Sequence, residues 1–162
     1  MKHEFHGMRN HPMYDRWASI KQRCRNEDNE YFDRYGGRGI AMHQSWIDSF
    51  QKFYEDVVAE IGPCPEGKSL DRKDNNGSYM PSNIRWADAT EQLCNQRRRK
   101  DSNTGVKGVS VSGGYVSAFL SVRRRRISKR FGKDSPENRA AAEAWLRSKR
   151  EELHGEFANH GD

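Results

Sequence analysis

Residues 69–99 read SLDRKDNNGSYMPSNIRWADATEQLCNQRRR, and they decide the fold. Leu70 and Asp71 make an apolar-polar step into a short strand. Asn75-Asn76-Gly77 follows as turn chemistry, since Asn and Gly tolerate positive φ. Ile84 and Trp86 flank Arg85 with the alternation of a half-buried second strand. Asp88 and, three residues on, Glu91 form a capping-box start for a helix that carries Gln92 and Asn95. The segment therefore predicts strand, loop, strand and helix, ending in the basic run 97–99. The layout places the carboxylate of Asp71 and the amides of Asn83, Gln92 and Asn95 around a small ββα unit, oxygen donors that suit a hard divalent cation.

At these residues the chain resembles the HNH, or ββα-metal, endonucleases, in their phage-borne homing branch. The matching words are Asp71-Arg72, Asn75-Asn76-Gly77, Pro81-Ser82-Asn83-Ile84-Arg85-Trp86 and Glu91-Gln92. The phrases HGM, YGGRGI and SLDR occur in the order that branch uses, so the likeness spans most of residues 6–98. The resemblance implies Asp71 and Gln92 as ligands of Mg²⁺ or Mn²⁺, with Asn83 bracing the loop over the active site. It implies a DNA endonuclease acting on duplex DNA as a monomer, in the host cytoplasm if phage-encoded.

One position departs from the pattern. The family's general base is a histidine directly after the aspartate, and Arg72 stands there. A guanidinium stays protonated and cannot take a proton from water. A histidine elsewhere would have to serve, and His43 and His6 are the candidates. Arg72 would then offset phosphate charge, as would Arg38 in the glycine-rich segment 36–39. The opposing reading is a DNA-binding regulator built on a nuclease that no longer cuts.

Around this segment, two amphipathic helices are expected. Residues 12–26 place Met13, Trp17, Ile20 and Cys24 on one face. Trp46, Phe50, Phe53, Tyr54 and Val57 form the stripe of a second helix, ending near Gly62-Pro63.

Beyond Gln96 the chain turns basic. Between 97 and 133 it holds twelve Lys/Arg (97–100, 107, 123–126, 129, 130 and 133) against one acid, Asp101. That excess, within a net charge of +6, points to nucleic acid as partner. Residues 99–104 read as a basic linker, with Arg97, Arg98, Arg99 and Lys100 meeting phosphates. Strands are expected at 107–112, 115–123 and 126–131, joined by Gly113-Gly114 and a basic turn. A helix begins at Ser135-Pro136 and carries Ala141, Ala142, Trp145, Leu146 and Leu153.

Three strands and a helix resemble the AP2-type DNA-binding domain found attached to phage HNH nucleases. Lys107-Gly108-Val109, the Gly-Gly-Tyr hairpin, Arg130-Phe131-Gly132 and Leu153-His154-Gly155-Glu156-Phe157 carry that likeness. The resemblance implies a sheet laid into the major groove. Alternation assigns Ser110, Ser112, Tyr115, Ser117, Arg123, Arg126, Ser128 and Arg130 to the DNA side. A sheet with Tyr115 exposed could instead stack RNA bases.

The fold class expected is thus α+β: an HNH-like domain at 1–98, the linker, and an AP2-like domain at 105–162. No apolar run approaches the roughly 20 residues a membrane span needs. The N-terminus MKHEFHGMRN lacks a secretory apolar core. Three widely spaced cysteines argue against a disulfide framework and for a reducing cytoplasm.

Overall fold

The computed structural model describes residues 7–122 and 125–161. His6 and Arg123 lie outside the described residues. The architecture is mixed α+β, and the chain divides into two compact units, Met1–Ala87 and Asp88–Asp162. The division falls ahead of residue 98, so the helix following Ala87 groups with the second unit.

The first unit opens with α1 (Pro12–Arg25), where His11 Nδ1 accepts from Met13 N at 3.2 Å and Pro12 occupies the first turn. It buries Met13, Trp17, Ile20 and Cys24, the expected stripe. The second apolar stripe is not one helix. It is split into α2 (Gln44–Asp48) and α3 (Phe50–Ile61) by Ser49, which is extended at φ −140°. Ser49 Oγ accepts from Lys52 N at 3.3 Å and so caps α3. A serine there offers the backbone an alternative to helix, which the spacing of apolar residues does not register. Gly62, at φ 74°, closes α3 where only a residue without Cβ is unstrained.

Trp46, Phe50, Phe53 and Val57 fill the core against Leu70 and Ile84 of a two-stranded antiparallel ribbon, β1 (Ser69–Arg72) and β2 (Ile84–Ala87). Three indoles link elements through their N–H groups. Trp17 donates to Trp46 O at 2.6 Å, Trp46 to Asp56 Oδ2 at 2.9 Å, and Trp86 to the carbonyls of Ile61 and Gly62 at 3.1 Å each. Each satisfies a polar atom whose burial would otherwise be costly.

The second unit holds α4 (Ala89–Cys94), strands β3 (Val109–Ser112), β4 (Tyr115–Val122) and β5 (Arg125–Lys133), and α5 (Pro136–His154). The strands form one antiparallel sheet in the order β3-β4-β5. Ser112 pairs with Tyr115, so Gly113 and Gly114 form a two-residue turn, with φ of 56° and 77°. Positive φ at both positions is what a type I′ turn demands. A register shift at Val116/Ser117 sets Val116 opposite Gly132 and Ser117 opposite Arg130.

Ser135 Oγ caps α5 by accepting from Asn138 N at 3.2 Å. The face that α5 buries differs from the expected one. Ala142 and Leu146 are buried, but the row continues through Arg150 and His154. Ala141 and Leu153 are exposed, and Trp145 is half-buried with its ring 6.1 Å from that of Phe131. Residues four apart form the inward row, and each of its two polar members reaches one backbone carbonyl within the unit, while Arg150 Nε and His154 Nδ1 are buried with no hydrogen bond. Arg150 Nη2 donates to Lys107 O at 2.5 Å, and His154 Nε2 lies 3.3 Å from Ser121 O. Burial pushes the His154 pKa down, consistent with a neutral ring that donates from Nε2.

Candidate nucleic-acid interface

In the ribbon, Asp71 sits directly across from Arg85, and Arg72 across from Ile84. Successive strand residues point to opposite faces, so Asp71 and Arg72 do not share a surface. Asp71 Oδ2 accepts from Arg85 Nε at 3.3 Å, and the aspartate side chain is only 16% exposed. Arg72 is buried, and its Nη1 donates to the carbonyls of Asn75 at 2.8 Å and Gly77 at 2.7 Å. The expected phosphate clamp therefore faces inward, where it organises the loop between β1 and β2.

That loop is held from three directions. Asn83 Nδ2 donates to Asp74 O at 3.1 Å and Ser78 O at 3.0 Å, while its Oδ1 accepts from Asp74 N at 2.8 Å. Gly77 does not have positive φ; its lack of a side chain makes room for the Asn83 amide. On the far side, Arg38 Nη2 donates to Asn76 Oδ1 at 2.8 Å, so this guanidinium too is engaged with the protein. Ala41 N donates to Ser78 Oγ at 3.0 Å, and His43 N donates to Tyr79 O at 2.8 Å.

Beneath the loop, Tyr35 and Tyr79 stack at 6.4 Å. The guanidinium of Arg23 lies 4.4 Å from the Tyr35 ring and that of Arg72 lies 5.1 Å from the Tyr79 ring. Arg23 Nη2 donates to the Tyr79 hydroxyl at 2.6 Å. Burial drives the Tyr79 phenol up to about 12, so it stays neutral. The sequence offered only the residue types for this four-member stack. His43 itself is exposed at the start of α2, with Nδ1 2.9 Å from Ser45 Oγ.

Gln92 is half-buried on α4 in the second unit, where the capping box is complete: Asp88 Oδ1 accepts from Thr90 N and Glu91 N, and Asp88 N donates to Glu91 Oε2. Arg97, Arg98, Arg99 and Lys100 are exposed. Arg99 forms a two-pronged pair with Asp101, at 2.9 and 2.7 Å, and that guanidinium holds the Asp101 carboxyl below its usual range.

The sheet turns Val109, Val116, Ala118 and Leu120 toward α5. Its other face presents Ser110, Ser112, Tyr115 and Ser117 from β3 and β4, with Arg126, Ser128 and Arg130 from β5. Phe119 belongs to this face as well and was missing from the expected set. Alternation between the buried Ala118 and Leu120 is the signal that locates it. The guanidinium of Arg126 lies 4.2 Å from the Phe119 ring, and that of Arg130 lies 4.7 Å from the Tyr115 ring.

No protein-family model, curated protein or solved structure matches the chain. Among the described residues, no three His, Cys, Asp or Glu side chains cluster as a metal cage, and no helix is long and apolar enough to cross a membrane.

Proposed function

We propose that the chain is a metal-dependent endonuclease of the HNH type, with a duplex-DNA-binding sheet that chooses the site. One observation supports it above the rest: the braced loop after Asp71 is hydrogen-bonded to the main chain of His43. A rigid loop between a carboxylate strand and a histidine is the preorganisation that phosphodiester hydrolysis needs.

The donor set suits a Mg²⁺ or Mn²⁺ ion shared with substrate, because such ions are often held by one or two carboxylates together with phosphate oxygens. Within the first unit, Asp71 is the residue that would hold it. Bound there, the ion would supply charge stabilisation for the phosphate. His43 would accept the proton of the attacking water at Nε2, with its Nδ1–H donating to Ser45 Oγ. The water oxygen would bond to phosphorus as the P–O bond to the leaving strand breaks; the water's proton would stay on the imidazole, and the departing oxygen would take a proton from solvent.

The second reading, a DNA-binding protein that does not cut, rests on the Asp71–Arg85 pair, which places a guanidinium where the metal would compete for the carboxylate. Plasmid cleavage in Mg²⁺ or Mn²⁺ at low salt separates the two readings. Nicked or linear product from wild type, lost in Asp71→Ala and in His43→Ala with unchanged circular dichroism, supports the nuclease. A gel shift on duplex DNA with no cleavage under any metal supports the binder. Preference for single-stranded RNA over duplex DNA in competition would overturn both.

A further inference from the structure

The open face of the sheet carries the same two-residue unit twice. Arg126 pairs with Ser121 and stacks on Phe119, two residues back along β4. Arg130 pairs with Ser117 and stacks on Tyr115, again two residues back. The units are related by a shift of four residues along both strands, and Ser128 lies midway between the arginines. Among the described residues, neither guanidinium is held in an ion pair.

A guanidinium lying on an aromatic ring loses rotational freedom but keeps its N–H edge for another partner. Four residues of strand span about 13 Å at roughly 3.3 Å each. Duplex DNA rises about 3.4 Å per base step, so that span is about four steps. Arginine's fork matches the O6 and N7 acceptors of guanine.

We infer that Arg126 and Arg130 are paired specificity-determining residues, each reading one guanine, with the two guanines about four base steps apart. Tyr115 and Phe119 are positioning residues that aim the two forks. The inference rests on the reading of this sheet as a duplex-DNA surface. It adds the spacing and identity of the bases read.

The experiment is selection from a randomised duplex library by the full chain in EDTA, which removes cleavage from the readout. Wild type should enrich a guanine pair about four steps apart. Arg126→Ala should lose one guanine and Arg130→Ala the other, each by about 5- to 100-fold in relative affinity. Arg126→Lys keeps the charge but not the fork, so it should keep phosphate-level affinity and lose its guanine. Phe119→Ala should weaken base preference more than binding. Sites with no guanine pair, or Arg126→Lys with undiminished preference, would overturn the inference. Failure of wild type to bind any duplex would overturn the underlying DNA reading instead.

Discussion

The side-chain amide of Asn83 occupies the space beside Gly77: a Cβ built on Gly77 would lie 2.6 Å from Asn83 Nδ2. That contact is closer than side-chain carbons approach, so a side chain at 77 displaces the amide that spans the loop.

Gly77→Ala should therefore behave like Asn83→Ala. Each removes the bridge to the Asp74 and Ser78 carbonyls and the acceptor for Asp74 N. A cost of about 1–3 kcal/mol is expected for either. The double variant should cost little more than one alone, because both act on one network. Thermal denaturation of all three, with hydrogen exchange across 73–80, checks this. Additive losses would show that Gly77 has a separate role.

Arg72→Ala should destabilise the first unit by about 2–4 kcal/mol, because two carbonyl oxygens and two aromatic rings lose their partner at once. Arg72→His should not create an active base, since position 72 faces away from Asp71. Cleavage of plasmid by Arg72→His at or below the wild-type rate is the expected outcome. A rate increase would mean the ribbon can present position 72 to substrate.

Asp71 and Arg85 should be energetically coupled. Removing only the aspartate takes the paired carboxylate from a buried guanidinium, so Asp71→Ala should cost about 3 kcal/mol, whereas Asp71→Ala with Arg85→Leu should recover part of it. A double-mutant cycle by urea unfolding measures the coupling. Its size also tells how much of any lost cleavage in Asp71→Ala comes from weakened folding.

Lys107 should give the second unit a pH dependence. Its Nζ donates to the carbonyls of Cys94, Gln96 and Asn159, tying the end of α4 to the C-terminal segment. Burial, then the charge of Arg150, lowers its pKa from 10.5 to about 8. Between those values the unfolded chain holds the proton that the folded chain has lost, so this residue's contribution to stability rises with pH. The Tm of wild type relative to Lys107→Met should increase from pH 8 to 10. A decreasing gap would mean that the three carbonyl bonds keep the ammonium charged past its ordinary range.

The elements that depend on neighbours in sequence were legible from the chain alone. The α1 stripe is a local period of four, three and four. The Gly113-Gly114 turn follows from φ requirements at two residues, and the Asp88–Glu91 capping box from groups three positions apart. The outward serines and arginines of β3 to β5 follow from a period of two. Tertiary structure decided what meets Arg72, Arg150 and Arg126, because local spacing does not specify the rings and the carbonyl brought to them. Arg72 turns inward because Tyr35 and Tyr79 are stacked to receive it. Arg150 is buried because the carbonyl of Lys107 meets it there. Phe119 becomes the platform for Arg126 only once strand register is set. A local period says which face a residue takes, but only the folded chain supplies the charge, ring or carbonyl that waits on that face.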